Sequence, residues 1–201
     1  MSGYRTALSA LHALETFGMR LGLENVADYC AAAGYPERAY PALHVAGTNG
    51  KGTTAACLAA LARRHGLRAG LYTSPHLVDF RERIRVDGEP ISRPGFVAMW
   101  NRVGSFAQER SMTFFEAGTL MALEWFAERG VDVAVLEIAP EPPRAGPAIV
   151  LGLPSGSEQS NDRRYPVAVL GRRFHGLLTS SFEIGDPDLA VRSPIWIAST
   201  R

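Results

Sequence analysis

Apolar residues along the first two thirds of the chain recur at two periods. Tyr4, Leu8, Leu11, Leu14 and Phe17 stand three and four apart, the spacing of an amphipathic helix. A Gly-rich link over 18–23 follows, and a second helix over 24–33 stops at Gly34, where a left-handed cap residue fits. Residues 42–46 read as a short apolar strand running into Gly47-Thr48-Asn49-Gly50-Lys51-Gly52-Thr53-Thr54. An Ala/Leu-rich helix continues to His65, with Gly66 as its cap, and a strand near 68–73 leads into a polar loop through Gly88. Ser92 and Pro94 open a helix to about Glu109. Thr113 to Glu116 have capping-box spacing and start a helix that ends at Gly130. Residues 131–138 form a buried-type strand with Glu137 near its C-terminal end. This alternation predicts an α/β fold, a parallel sheet with helices on both faces.

At Ala139 the pattern changes. Residues 139–201 hold eight of the 13 prolines, and their only strand-like stretches are 148–153 and 166–170. The division expected is therefore 1–138 as one folded unit and 139–201 as a Pro/Arg-rich tail.

Composition narrows the function classes. With 46% hydrophobic and 20% charged residues and a formal net charge of +1, the 201-residue chain is neither disordered nor a strongly basic nucleic-acid binder. Cys30 and Cys57 are too few for a disulfide scaffold or a zinc site, and no apolar run approaches a membrane span. A cytoplasmic protein without nucleic-acid or membrane partners is expected. Of the 21 basic residues, 20 are arginine and one, Lys51, is lysine.

That lysine sits in a Gly-rich turn between a strand and a helix, the arrangement that binds nucleotide phosphates. Backbone N–H groups and the helix N-terminus face the anion, and a compact ammonium fits where the wide guanidinium fork does not. The usual spacing, G-x-x-x-x-G-K-S/T, is shortened here. Gly52 stands where a magnesium-binding hydroxyl is expected, and Thr53 follows one position later.

The loop Gly-Thr-Asn-Gly-Lys-Gly-Thr, preceded by His44-Val45-Ala46, resembles the ATP loop of the Mur ligase superfamily. Further stretches narrow the resemblance to dihydrofolate synthase/folylpolyglutamate synthase, N-terminal portion only. These are Phe17 to Val26, Tyr72-Thr73-Ser74-Pro75-His76-Leu77, Phe80 to Ile84, Thr113 to Glu116 and the strand ending at Glu137. The resemblance implies a P-loop-type parallel sheet, the Mur ligase central domain, here incomplete. It implies a ligase that uses ATP and Mg2+ to join L-glutamate to dihydropteroate or folate through an acyl phosphate. Residue by residue, it places Thr48, Asn49, Gly50, Lys51, Gly52 and Thr53 on the ATP phosphates, Lys51 also as the catalytic cation. Ser74 and Glu137 become magnesium ligands, as suits a hard cation. Gly18, Met19, Arg20 and Leu21, with Phe115, Glu116, Ala117 and Gly118, line the pterin side.

Several positions keep a structural alternative. Glu116 also fits a capping box, Ser74-Pro75 an ordinary turn, and Glu137 the polar end of a strand. His76 reads as a loop histidine. The Arg81 to Arg85 run reads as a solvated face, with contact between Arg83 and an anionic substrate as the alternative.

The resemblance stops after Ile138. The family's Gly-Gly-Arg-Leu-Asp-Ala-Thr-Asn segment, its Asp-His pair and its second functional lysine do not occur in Ala139-Pro140-Glu141-Pro142-Pro143-Arg144 and beyond. Two readings follow: a truncated ligase, or a catalytically inert nucleotide-binding fragment from a frameshifted or truncated gene. The resemblance implies a family-like monomer, and either reading leaves an open sheet edge that offers a route to self-association.

Overall fold

The computed structural model describes residues 2–17, 24–46, 50–137 and 148–152. Helix α1 (Ser2–Ala13) continues into a 3-10 turn (Leu14–Phe17), and α2 (Glu24–Ala32) ends near Gly34, whose φ of 80° is the left-handed conformation expected there. Strand β1 (Ala42–Ala46), helix α3 (Lys51–Arg64) and strand β2 (Ala69–Tyr72) form the first strand–helix–strand unit. Strands β3 (Ile84–Val86) and β4 (Glu89–Pro90) follow, then helices α4 (Arg93–Glu109) and α5 (Phe114–Arg129) and strand β5 (Val133–Glu137). Strand β6 (Ala148–Gly152) is the last element.

The six strands form one sheet in the order β4-β3-β2-β5-β1-β6. Its centre is parallel: β5 lies between β1 and β2, pairing Val45 with Glu137 and Tyr72 with Leu136. The C-terminal ends of these three strands therefore share one edge of the sheet, where open parallel sheets bind ligands. Both flanks are antiparallel, so the sheet is mixed around its parallel core.

Helices cover both faces, as the period of two requires. Leu43 and Val45 of β1, Leu71 of β2, and Val133 and Val135 of β5 pack against Ala55, Leu58, Ala59 and Ala62 of α3. The alternate residues, among them Ala42, Tyr72, Ala134 and Leu136, join the core built with α1, α4 and α5. The close approach of α5 needs a glycine opposite: a Cβ on Gly70 would stand 2.8 Å from the Phe126 ring.

Two expectations are corrected. The polar loop expected through Gly88 contains the β3–β4 hairpin, turned at Asp87-Gly88 with positive φ at both residues. Asp-Gly is a strong signal for a two-residue turn of this hand. The sheet edge expected to be open is occupied along β1 by β6, which pairs antiparallel, Ala42 opposite Gly152 and Ala46 opposite Ala148. At the other edge β4 is two exposed residues, one charged and one proline, which blunts edge pairing. The possible strand over 166–170 lies outside the described residues. Among the described residues, no helix is long and apolar enough to cross a membrane.

Candidate functional site

Helix α3 begins beside the C-terminal end of the parallel core. Gly50 precedes it with φ 77° and ψ 3°, left-handed backbone that glycine adopts without strain, and supplies no side-chain cap. Its carbonyl accepts the first helical bond from Thr54 N–H at 2.8 Å. The amides of Lys51, Gly52 and Thr53 precede that bond, so the helix presents backbone donors and its positive dipole end to an anion. Lys51 is the first helical residue, and Thr53 is exposed on the same turn.

Opposite this turn stands Glu137, the last residue of β5, only 5% exposed. By alternation from Val133 and Val135 its side chain lies on the α3 face. Its Oε2 accepts the Ser74 backbone N–H at 3.0 Å and lies 3.5 Å from where a Cβ on Gly52 would be. The space flanking Gly52, where the usual loop carries its hydroxyl, thus borders a carboxylate. Ser74 follows β2 and precedes a cis bond to Pro75. Ser74 and Glu137 together offer a hydroxyl and a carboxylate, hard oxygen donors that fit magnesium, which commonly takes one or two carboxylates and completes its shell with phosphate and water. Among the described residues there is no group of three or more His, Cys, Asp or Glu that could hold a metal ion.

On the other face, the ends of β2 and α5 meet a 3-10 turn (Phe80–Arg83). Asp79 caps this turn, and Glu82 accepts the backbone N–H groups of Leu77, Val78 and Asp79 at 2.8–3.1 Å. Tyr4 ties the turn to α1 by donating its hydroxyl to Asp79 at 2.8 Å. Burial raises the Asp79 carboxyl, but hydrogen bonds from Arg81 and Tyr4 outweigh it and hold the group at about 2. Arg83 then closes the turn: Thr73 N–H donates to its carbonyl at 3.0 Å, and its Nε donates to His76 Nδ1 at 2.8 Å. Burial and the Arg83 cation both lower the His76 pKa, consistent with an accepting nitrogen.

The residues expected on the pterin side divide. Phe115 lies 6.1 Å from the Tyr72 ring, centroid to centroid, and a Cβ on Gly118 would stand 3.1 Å from Tyr72 Oη. Ala117 is fully buried in the same core. Glu116 forms the capping box: its carboxylate accepts Thr113 N–H at 2.7 Å while Thr113 Oγ1 accepts Glu116 N–H at 3.1 Å. Thr48 and Asn49, and Gly18, Met19, Arg20 and Leu21, lie outside the described residues.

The reading of Arg81 to Arg85 as a solvated face is corrected at Arg83, which is 8% exposed. In a 3-10 turn residues i and i+3 eclipse, so Arg83 shares the inward side of Phe80. An aromatic three residues before an arginine carried that signal.

No protein-family model matches the chain. It is 40% identical over 140 residues to a probable bifunctional folylpolyglutamate synthase/dihydropteroate synthase of Haloferax volcanii, covering 67% of this chain and 17% of that relative. It is 40% identical over 131 residues to the dihydrofolate synthase/folylpolyglutamate synthase of Escherichia coli K12, covering 65% of this chain and 31% of the relative. Among solved structures, E. coli FolC in complex with DHPP and ADP superposes with a TM-score of 0.60 and 37% identity, covering 66% of this chain and 33% of that one. The chain thus spans a third or less of these proteins and is similar to an N-terminal portion of folylpolyglutamate/dihydrofolate synthases in sequence and fold.

Proposed function

We propose that residues 1–138 form the N-terminal part of a Mur-ligase-type ATP-binding domain, in a folate-pathway ligase that joins L-glutamate to dihydropteroate or folate. Residues 139–201 are the non-matching tail, from which 148–152 adds a strand to the sheet. Support for the nucleotide comes from one observation above the rest. The N-terminus of α3, whose N-cap Gly50 supplies no side chain and whose first turn carries Lys51, lies beside the Ser74–Glu137 pair across Gly52. The E. coli neighbour is named as a complex with ADP, which agrees with this reading.

In this reading the loop over 48–53 holds the ATP phosphates, and the Lys51 ammonium offsets charge gathering on the transferring phosphoryl group. Ser74 and Glu137 would hold Mg2+, which would supply neutralisation of the phosphate charge. The acid's carboxylate attacks the γ-phosphorus and ADP leaves, forming an acyl phosphate; the glutamate amine then displaces phosphate. Residues 18–21 and 115–118 flank the pterin. The setting is the cytoplasm.

A second reading, an inert nucleotide-binding fragment, is favoured by the absence after Ile138 of the family's Asp-His pair and by Lys51 being the only lysine. One assay separates the two. The purified chain is incubated with ATP, magnesium, dihydropteroate and glutamate, and ADP and dihydrofolate are measured. Product at an ordinary enzyme rate supports the ligase; nucleotide binding without product supports the inert fragment. Failure of ATP to bind at all would remove both.

A further inference from the structure

We infer that Glu82 is a positioning residue: its carboxylate fastens the loop over 74–79 to the 3-10 turn, and so keeps Ser74 beside Glu137, where the pair can hold magnesium. This deepens the ligase reading and rests on its assignment of Ser74 and Glu137 to the metal.

The loop leaves β2 and rejoins the fold at Asp79, the cap of the turn. Leu77 and Val78 at its tip are 91% and 89% exposed, so apolar burial does not hold them. Hydrogen bonds do. Glu82 Oε2 accepts the Leu77 N–H at 3.0 Å, and Oε1 accepts the Val78 and Asp79 N–H groups at 3.1 and 2.8 Å. A capping box accounts only for the Asp79 bond. The bonds to Leu77 and Val78 reach beyond the turn, into a segment with no helix to cap. Hydrogen bonds from the Leu77 and Asp79 amides hold the Glu82 carboxyl below its ordinary value of 4.5, so it is ionised at neutral pH and its bonds are charge-assisted.

The turn is a firm base for this tie. Phe80 is buried in the core, and Asp79 is bound by Tyr4 and Arg81. Arg83, next to Glu82, acts on the near side of the loop: its carbonyl accepts the Thr73 N–H at 3.0 Å, and its Nε donates to His76 Nδ1 at 2.8 Å. Ser74 therefore lies between two fastened points, Thr73 before it and 76–79 after it. Its own backbone link to the strand ends is one bond, the N–H donated to Glu137 Oε2 at 3.0 Å. A hydroxyl on a loose loop must be ordered each time a cation binds, which costs backbone entropy, and a loop already fastened loses less. Lys51, Gly52 and Thr53 are carried by α3, outside the loop, so nucleotide binding without magnesium is separable from what the loop contributes.

Two measurements on the full chain test this: hydrogen exchange of the Leu77 and Val78 amides, and ATP titration with and without magnesium. In the protein free of metal and nucleotide, Glu82→Ala should speed exchange of both amides about tenfold or more, the loss expected for a hydrogen bond to a charged acceptor. The same variant should lose most of the magnesium gain in ATP affinity, while its magnesium-free affinity stays within about twofold of wild type. Glu82→Gln keeps one carbonyl oxygen as acceptor and should fall between the two proteins on both readouts. Unchanged amide exchange in Glu82→Ala, or an undiminished magnesium gain, would overturn the proposal. So would an equal fall in both ATP affinities, which marks a merely structural role. Should Glu82→Ala fail to fold, Glu82→Gln decides on the same readouts, and wild-type exchange or a wild-type magnesium gain in it would overturn the proposal. A wild-type chain without any magnesium gain would overturn the metal reading and this proposal with it; a gain in wild type that Glu82→Ala retains overturns this proposal alone.

Discussion

The two faces of the sheet are packed with different materials, small side chains on one and large aromatic ones on the other. Toward α3 the helix contributes Ala55, Leu58, Ala59 and Ala62 against Leu43, Val45, Val133 and Val135. Toward α1, α4 and α5 the core is built from Tyr72, Phe80, Phe96, Met99 and Phe126. Alanines let a helix sit close to the sheet. On that face the first turn of α3 reaches Glu137 at the strand ends. The larger aromatic side chains fill a thicker layer on the other face, and at its end they surround a buried arginine. One face thus brings backbone donors to the strand ends beside Glu137, and the other surrounds a cation with rings.

Four substitutions probe that division. Phe126→Ala should cost most, about 3–5 kcal/mol by chemical denaturation, because it empties the contact against Gly70 and Tyr40. ATP affinity of the folded protein should survive it. Ala59→Leu overpacks the opposite face and should cost about 1–3 kcal/mol. Unlike Phe126→Ala, it should weaken ATP binding, since it lifts α3 from the strand ends. The reverse pattern, with ATP binding lost in Phe126→Ala and intact in Ala59→Leu, would break the comparison. Thr113→Ala removes half of the α5 capping box and should cost about 1 kcal/mol, with ATP affinity unchanged.

The smallest effect is set by pH. Asp79 is held at about 2 in the fold, below the ordinary carboxylate value of 3.8. A depressed folded pKa contributes stability above 3.8, which is lost as pH falls through about 2. Asp79→Asn should therefore lower the melting temperature at pH 7, with the difference from wild type shrinking as pH falls from 3.8 through about 2. A constant difference across that range would show that the Asp79 charge is not what ties Tyr4 and Arg81 together.

Most of the α3 face was legible because its signals are local. A strand, a Gly-rich turn with Lys51 and an Ala-rich helix are contiguous, and Glu137 follows by alternation from Val133 and Val135. The aromatic face was less legible because its neighbours are distant in sequence. Arg83 meets His76, Phe80 and Phe114 only after the 3-10 turn forms and α5 packs beside it. Among charged neighbours its burial resembled a solvated run. The β3–β4 hairpin carried an Asp-Gly signal that the surrounding polar residues obscured. The pairing of β6 with β1 was not legible, since a strand's partner is a tertiary choice that its own apolar run does not encode.

The central claim is that α3, Ser74 and Glu137 together make a magnesium–nucleotide site, and the magnesium dependence of ATP affinity tests it most directly. ATP is titrated into wild type and Glu137→Gln, each with and without magnesium. The amide oxygen of glutamine can still accept the Ser74 N–H, so the loop geometry should be kept. The account predicts that magnesium tightens ATP binding to wild type, by about tenfold or more for a desolvated carboxylate–metal contact, and that Glu137→Gln loses this gain while keeping its magnesium-free affinity. An equal magnesium gain in both proteins, or no ATP binding to wild type, would contradict it.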